Sequence, residues 1–179
     1  MLDFRKLWDE ALTFERFVDE SAPQHRDMWQ AVHRLARVPG WAHEGVPTGR
    51  SWRLLVLAED WCGDAINTVP VIARWTETLP GVSLRVLRRD DNPEVMSRYL
   101  TNGSRSIPVV IALDSDFNEL GWWGPRPKEL QAWVLANKDV LPSAERYKEI
   151  RRWYAKDRGE TTLREVMETM GMDPQITQM

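Results

Sequence analysis

Between Ser51 and Ala65 the chain reads SWRLLVLAEDWCGDA. The run Trp52 to Ala58 is apolar almost without interruption, which suits a strand covered on both faces rather than one at a sheet rim. Within four residues it passes into a tryptophan, the only cysteine of the chain, a glycine and a helix-compatible segment. A buried strand running straight into a helix points to α/β architecture, with a thiol at the first helical turn. Free N–H groups and the helix dipole favour a thiolate there. Asp60 and Asp64 oppose a second negative charge, so the sign of the thiol's pKa shift stays open. Gly63 would let the chain turn tightly beside the sulfur.

The elements that follow can be read in order. Gly63 to Leu79 predicts a helix with Ile66, Val69, Ile72, Ala73 and Trp75 inward, kinked by the missing donor at Pro70. Val82 to Leu87 alternates as a short strand. Asn92 or Asp91 can cap a helix that has Pro93 at its first position and runs to about Leu100. Ile107 to Leu113 is a second apolar strand, with Pro108 at its start, where a lost donor is tolerated. Phe117 to Trp123 returns antiparallel, and Pro125 to Lys138 is helical. The crossover connections favour parallel pairing and the final turn favours a hairpin, so a mixed sheet is expected.

Residues 1–40 predict an N-terminal helical hairpin. Its helices are Leu2 to Val18 and His25 to Val38, the second with Met28, Val32, Leu35 and Ala36 inward. Pro39-Gly40 ends it, and Trp41 to Arg50 reads as a loop. Residues 140–179 predict a C-terminal helical extension. Its helices are Ala144 to Lys156 and Thr161 to Met170, the latter capped by Thr161, or by Thr162 with Glu165 as its capping-box partner. From Gly171 onward the chain is expected to fray.

Bulk properties exclude several function classes. The formal net charge is −3 with both signs mixed, which argues against a nucleic-acid-binding face. No apolar run is long enough for a membrane span, and the N-terminus lacks the apolar core of a signal peptide. One cysteine forms no internal disulfide, so a reducing cytoplasm is the expected compartment. His25, His33 and His43 have no metal-ligand spacing with Cys62 or Asp60. Among Arg50, Arg53, Arg105 and Arg126, the best candidate to reach the thiol is Arg105, just before Pro108. Of the neighbours Trp122 and Trp123, one ring should face the core and the other outward.

Trp61-Cys62-Gly63-Asp64-Ala65 resembles the Trp-Cys-Gly-Pro-Cys motif of the thioredoxin family. Pro70 is similar to that family's helix-kinking proline, and Ile107-Pro108 resembles its Ile-Pro step, whose proline is cis and faces the thiol. The order of elements from Trp52 to Lys138 resembles the family's as well. The resemblance implies a thioredoxin-like three-layer α/β/α fold with a mixed central sheet over residues 51–139. It implies Cys62 as nucleophile, Trp61 as flanking aromatic and Pro108 as the boundary of a substrate groove. Gly63, Asp64, Ile107 and Arg105 would lie around that groove, and Gly124 resembles the glycine after the last strand.

Two departures restrict the implied chemistry. Ala65 stands at the family's resolving cysteine, and Val56 stands at its buried acid. Turnover by two thiols needs a second thiol to release the mixed disulfide. What the resemblance leaves is monothiol exchange through Cys62, with glutathione or protein thiols as partners and no bound cofactor. The alternative is a non-catalytic thioredoxin-fold binding or structural module. An exposed Cys62 beside a cis Pro108 would favour the first. A buried sulfur, or a groove filled by terminal helices, would favour the second.

Overall fold

The computed structural model describes residues 1–174. In chain order the elements are α1 Phe4–Glu10, β1 Leu12–Thr13, α2 Phe14–Asp19, α3 Pro23–Leu35, α4 Gly40–Glu44, β2 Trp52–Ala58, α5 Gly63–Glu77 and β3 Val82–Arg88. They continue with α6 Pro93–Arg98, β4 Val109–Leu113, β5 Glu119–Trp123, α7 Lys128–Asn137, α8 Ser143–Asp157 and α9 Glu160–Thr169. The strands form one mixed sheet in the order β1-β3-β2-β4-β5, with helices packed around it. This is a thioredoxin-like α/β fold with helical segments at both ends.

The central position of β2 follows from its composition. From Leu54 to Ala58 every side chain is fully buried, which only an interior strand with both faces covered allows. It pairs parallel to β3, with Val56 opposite Val86, and antiparallel to β4, with Val56 opposite Val110. Because β4 runs against β2, its start lies at the end of β2 that leads to the cysteine. Leu57 faces Val109 across the ladder. That register brings residues 62 and 107 together. Helix α5 follows with Ile66, Val69, Ile72, Ala73 and Trp75 all buried, as the periodicity predicts, and Pro70 lies inside it.

The N-terminal segment is more divided than a two-helix hairpin. The expected helix from Leu2 to Val18 is interrupted by β1, whose Leu12 and Thr13 pair antiparallel with Val86 and Arg85. This short strand covers an edge of β3 that would otherwise stand open. Thr13 also accepts the Arg16 N–H and caps α2. In α3 the inward anchor is Trp29, fully buried, whereas Met28 and Leu35 are exposed, contrary to the periodic reading. The predicted loop after residue 40 contains α4.

Smaller corrections concern helix ends. Asn92 precedes α6, but its side-chain amide donates to the Arg88 carbonyl and makes no cap. Strand β4 begins at Val109, two residues later than expected, and α7 at Lys128. Gly159 precedes α9, so neither Thr161 nor Thr162 is its cap. The Thr161 N–H and hydroxyl turn back to Asp157. Glu165 accepts instead from Trp123 Nε1 at 2.7 Å and from the Lys128 N–H at 2.9 Å. The chain does not fray at Gly171: Met172 is buried and its N–H donates to the Met167 carbonyl. The part of that expectation covering 175–179 lies outside the described residues.

Candidate functional site

Strand β2 ends at Ala58 and three residues carry the chain to Cys62, the residue preceding α5, in extended backbone. Both acidic residues of this loop are engaged. The Glu59 carboxylate accepts the Asp90 N–H at 2.9 Å, while the Cys62 N–H donates to the Glu59 carbonyl at 3.2 Å. Burial pushes the Glu59 carboxyl above its ordinary pKa, against the pull of the Asp90 N–H. Asp60 points away from the thiol. Its carboxylate accepts from the Ala22 N–H at 2.8 Å and contacts His25 Nδ1 at 3.3 Å. Its carbonyl accepts from Trp29 Nε1 at 2.8 Å. Burial raises the Asp60 pKa, but the Ala22 and His25 contacts outweigh it and hold the carboxyl below its usual range. The N-terminal helices therefore fasten the loop that delivers the cysteine.

Cys62 is 8% exposed, and its thiol donates to the Ile107 carbonyl at 3.4 Å. Its pKa is pushed up to about 11. Burial is the main cause, and the Asp64 carboxylate adds to it. The Ala65 and Asp64 N–H groups and the Arg126 guanidinium pull the other way without prevailing. At that pKa about one thiol in ten thousand is ionised at pH 7. The thiolate is the nucleophile, so the helix terminus does not offset what burial costs the anion.

Asp64 lies in the first turn of α5, and its side chain is held by residues from outside that helix. Arg126 grips it at both oxygens, Nε to Oδ1 at 3.0 Å and Nη2 to Oδ2 at 2.8 Å. The Tyr154 hydroxyl donates to the same Oδ1 at 2.8 Å. Burial still pushes the Asp64 carboxyl above its ordinary pKa. Tyr154 is buried and its phenol is raised, first by desolvation and then by Asp64. A carboxylate, a guanidinium and a phenol thus cluster beside the cysteine.

The same cysteine and Asp64 border an open cleft of about 370 Å³. Trp61, Cys62, Gly63, Asp64, Arg105 and Ile107, all candidate site residues, line it together. Trp61 is half exposed, with the Arg89 guanidinium 5.1 Å from its ring centre. Arg105 stands at the rim, half exposed, with Asp90 3.9 Å away. The Ile107–Pro108 bond is cis, as the resemblance implies, but Pro108 is buried behind the cleft and does not line it. Its carbonyl packs against Gly124, whose φ is +133°. Gly63, by contrast, has open space where a Cβ would go and no left-handed backbone, so the tight turn expected of it is not what the glycine supplies. Ala65 and Val56 are fully buried and filled by packing.

The sequence reading missed Glu59 and Tyr154, and gave Arg126 a smaller part than Arg105. Tyr154 meets Asp64 across 90 positions of sequence, and no local pattern announces such a contact. The histidines are held elsewhere: His25 at Asp60, His33 at Glu77 and His43 at Thr78. Among the described residues no three His, Cys, Asp or Glu side chains gather where they could hold a metal. No helix among them is long and apolar enough to cross a membrane.

The family model described as Thioredoxin matches residues 11–153, most of the chain. No curated protein matches. Two solved structures superpose along nearly the full length. A protein of unknown function from Pseudomonas aeruginosa is 22% identical over 96% of this chain and 98% of that one, with a TM-score of 0.76. A crystallised HIV epitope-scaffold is 20% identical over 95% and 98%, with a TM-score of 0.75. At these identities the likeness carries the fold alone.

Proposed function

The chain belongs to the thioredoxin family, and from that premise we propose that it is a binding module whose single cysteine is structural rather than a redox catalyst. One observation carries the reading: the Cys62 thiol is buried, hydrogen-bonded to Ile107 and raised to about 11. A catalytic thiol needs the opposite surroundings, electropositive and accessible. The lost resolving cysteine at Ala65 and the apolar Val56 support the same conclusion, since nothing else in the motif completes a two-thiol cycle. What remains usable is the cleft itself. The half-exposed Trp61 ring and the Arg89 and Arg105 guanidiniums offer a partner apolar area and hydrogen-bond donors next to a fixed backbone.

Incubation of the folded protein with oxidised glutathione at pH 7, read by mass, tests this. The expected result is unmodified protein, with an adduct appearing only after denaturation. Rapid formation of a mixed disulfide that reduced glutathione then releases would favour the second reading, monothiol exchange. One observation favours that reading: the N–H groups of Ala65 and Asp64 already lower the cost of a thiolate.

A further inference from the structure

The helices α7 and α8 form a hairpin with an apolar cluster of its own. Leu130, Ile150 and Tyr154, with Trp133, Val134 and Trp153 around them, make an apolar cluster separate from the main core. The hairpin's own packing is therefore independent of the packing that holds the sheet. Its root is tied down at both strands of the chain. Before α7, Arg126 holds Asp64 and also donates to Gln131 at 2.8 Å. At the end of α8, Tyr154 donates to Asp64, and the turn that follows packs against Val71 of α5 through Gly159. Two helical turns before Tyr154, the exposed Tyr147 reaches the cleft beside Cys62. The same helix that carries the phenol thus also borders the thiol.

We propose that the α7–α8 hairpin is a lid on Cys62, latched shut by the hydrogen bonds that Arg126 and Tyr154 make to Asp64. The proposal rests on the buried thiol of the reading above and adds what controls access to it from the cleft that Tyr147 borders. The latch is polar and concentrated on one carboxylate, while the Lys128 N–H bond to Glu165 and the Gly159 turn against Val71 keep the root of the hairpin in place as its hinge. Asp64 lies two residues after Cys62 in the first turn of α5, so the latch acts within the motif itself. When the hairpin swings out, the sulfur and the N–H groups of Asp64 and Ala65 face solvent together.

Tyr154→Phe keeps the ring in its cluster and removes only the bond to Asp64. Two readouts of the full chain decide the matter: the rate of Cys62 labelling by a maleimide at pH 7, and amide hydrogen exchange resolved by segment. Loss of a hydrogen bond to a charged group predicts labelling about tenfold faster than in the wild type. Exchange should quicken in residues 143–157 and stay unchanged in β2 and β4. Unchanged labelling would overturn the lid, and so would faster labelling accompanied by equal loosening of the sheet. Slow labelling of the wild type with no effect of the variant would leave the structural-thiol reading intact and remove only the lid. Fast labelling of the wild type would remove both.

Discussion

The Cys62 thiol donates to the carbonyl of Ile107, 45 residues away, at 3.4 Å. The two meet because β4 runs antiparallel to β2, so the start of one strand stands beside the end of the other. The contact places the sulfur against backbone, in a site where its proton is retained. The chemistry of the motif is thus decided by surroundings that the motif does not itself contain.

Two glycines near the thiol should respond oppositely to alanine. At Gly124, with φ of +133°, a Cβ would run into the Pro108 carbonyl. Gly124→Ala is expected to lose about 3 kcal/mol or more, since the backbone is strained and has nowhere to move. Gly63→Ala meets open space in the first turn of α5, and should be neutral or stabilising by about 0.5 kcal/mol. Urea denaturation of both variants checks the contrast.

Arg126→Met would leave the Asp64 carboxylate 13% exposed with no cation in contact. Breaking one partner of such a pair should cost about 3 kcal/mol, whereas the double change Arg126→Met with Asp64→Asn, which removes the charge and keeps an acceptor for the Tyr154 hydroxyl, should recover much of it. A double-mutant cycle on denaturation midpoints measures the coupling.

The raised thiol has a consequence at alkaline pH. In the unfolded chain a cysteine titrates near about 8.5, and in the folded protein Cys62 titrates at about 11. Between these values the unfolded state sheds a proton that the native state keeps. The stabilisation is therefore complete below the lower value and is lost as pH rises through the upper one. The loss approaches about 3 kcal/mol. Cys62→Ala removes this titration, so stability curves of the two proteins should diverge in slope over that window and run parallel below it.

Trp29→Ala should detach the N-terminal helices from the motif loop. The side chain is fully buried and its Nε1 donates to the Asp60 carbonyl. Truncation should cost about 4 kcal/mol. Limited proteolysis would then cut first among residues 14–35.

Much of this arrangement was legible in the sequence, and what was not has a physical pattern. Strand β2 and the inward face of α5 could be read because continuous burial leaves a continuous apolar run, and one-sided burial leaves a helical period. The family motif foretold the cis Ile107–Pro108 bond and brought six of the seven candidate residues to one cleft. Strand β1 was invisible because two residues are too few to show alternation against flanking helices. Trp29 was missed because a single large ring can anchor a helix whose other apolar positions, Met28 and Leu35, face solvent. The sign of the thiol shift could not be read at all. It depends first on burial, and then on the balance between Asp64 inside the motif and Arg126, which meets it only in the fold.

The central claim is that Cys62 is withheld from chemistry in the folded state. The most direct measurement is the rate of its alkylation by iodoacetamide from pH 6 to the alkaline limit of folding, with the urea-unfolded chain as reference. The account predicts slow reaction through neutrality, rising only as the pH approaches the alkaline range, and fast reaction once the chain is unfolded. A rate that saturates near pH 7, equal to or above that of the unfolded chain, would contradict it.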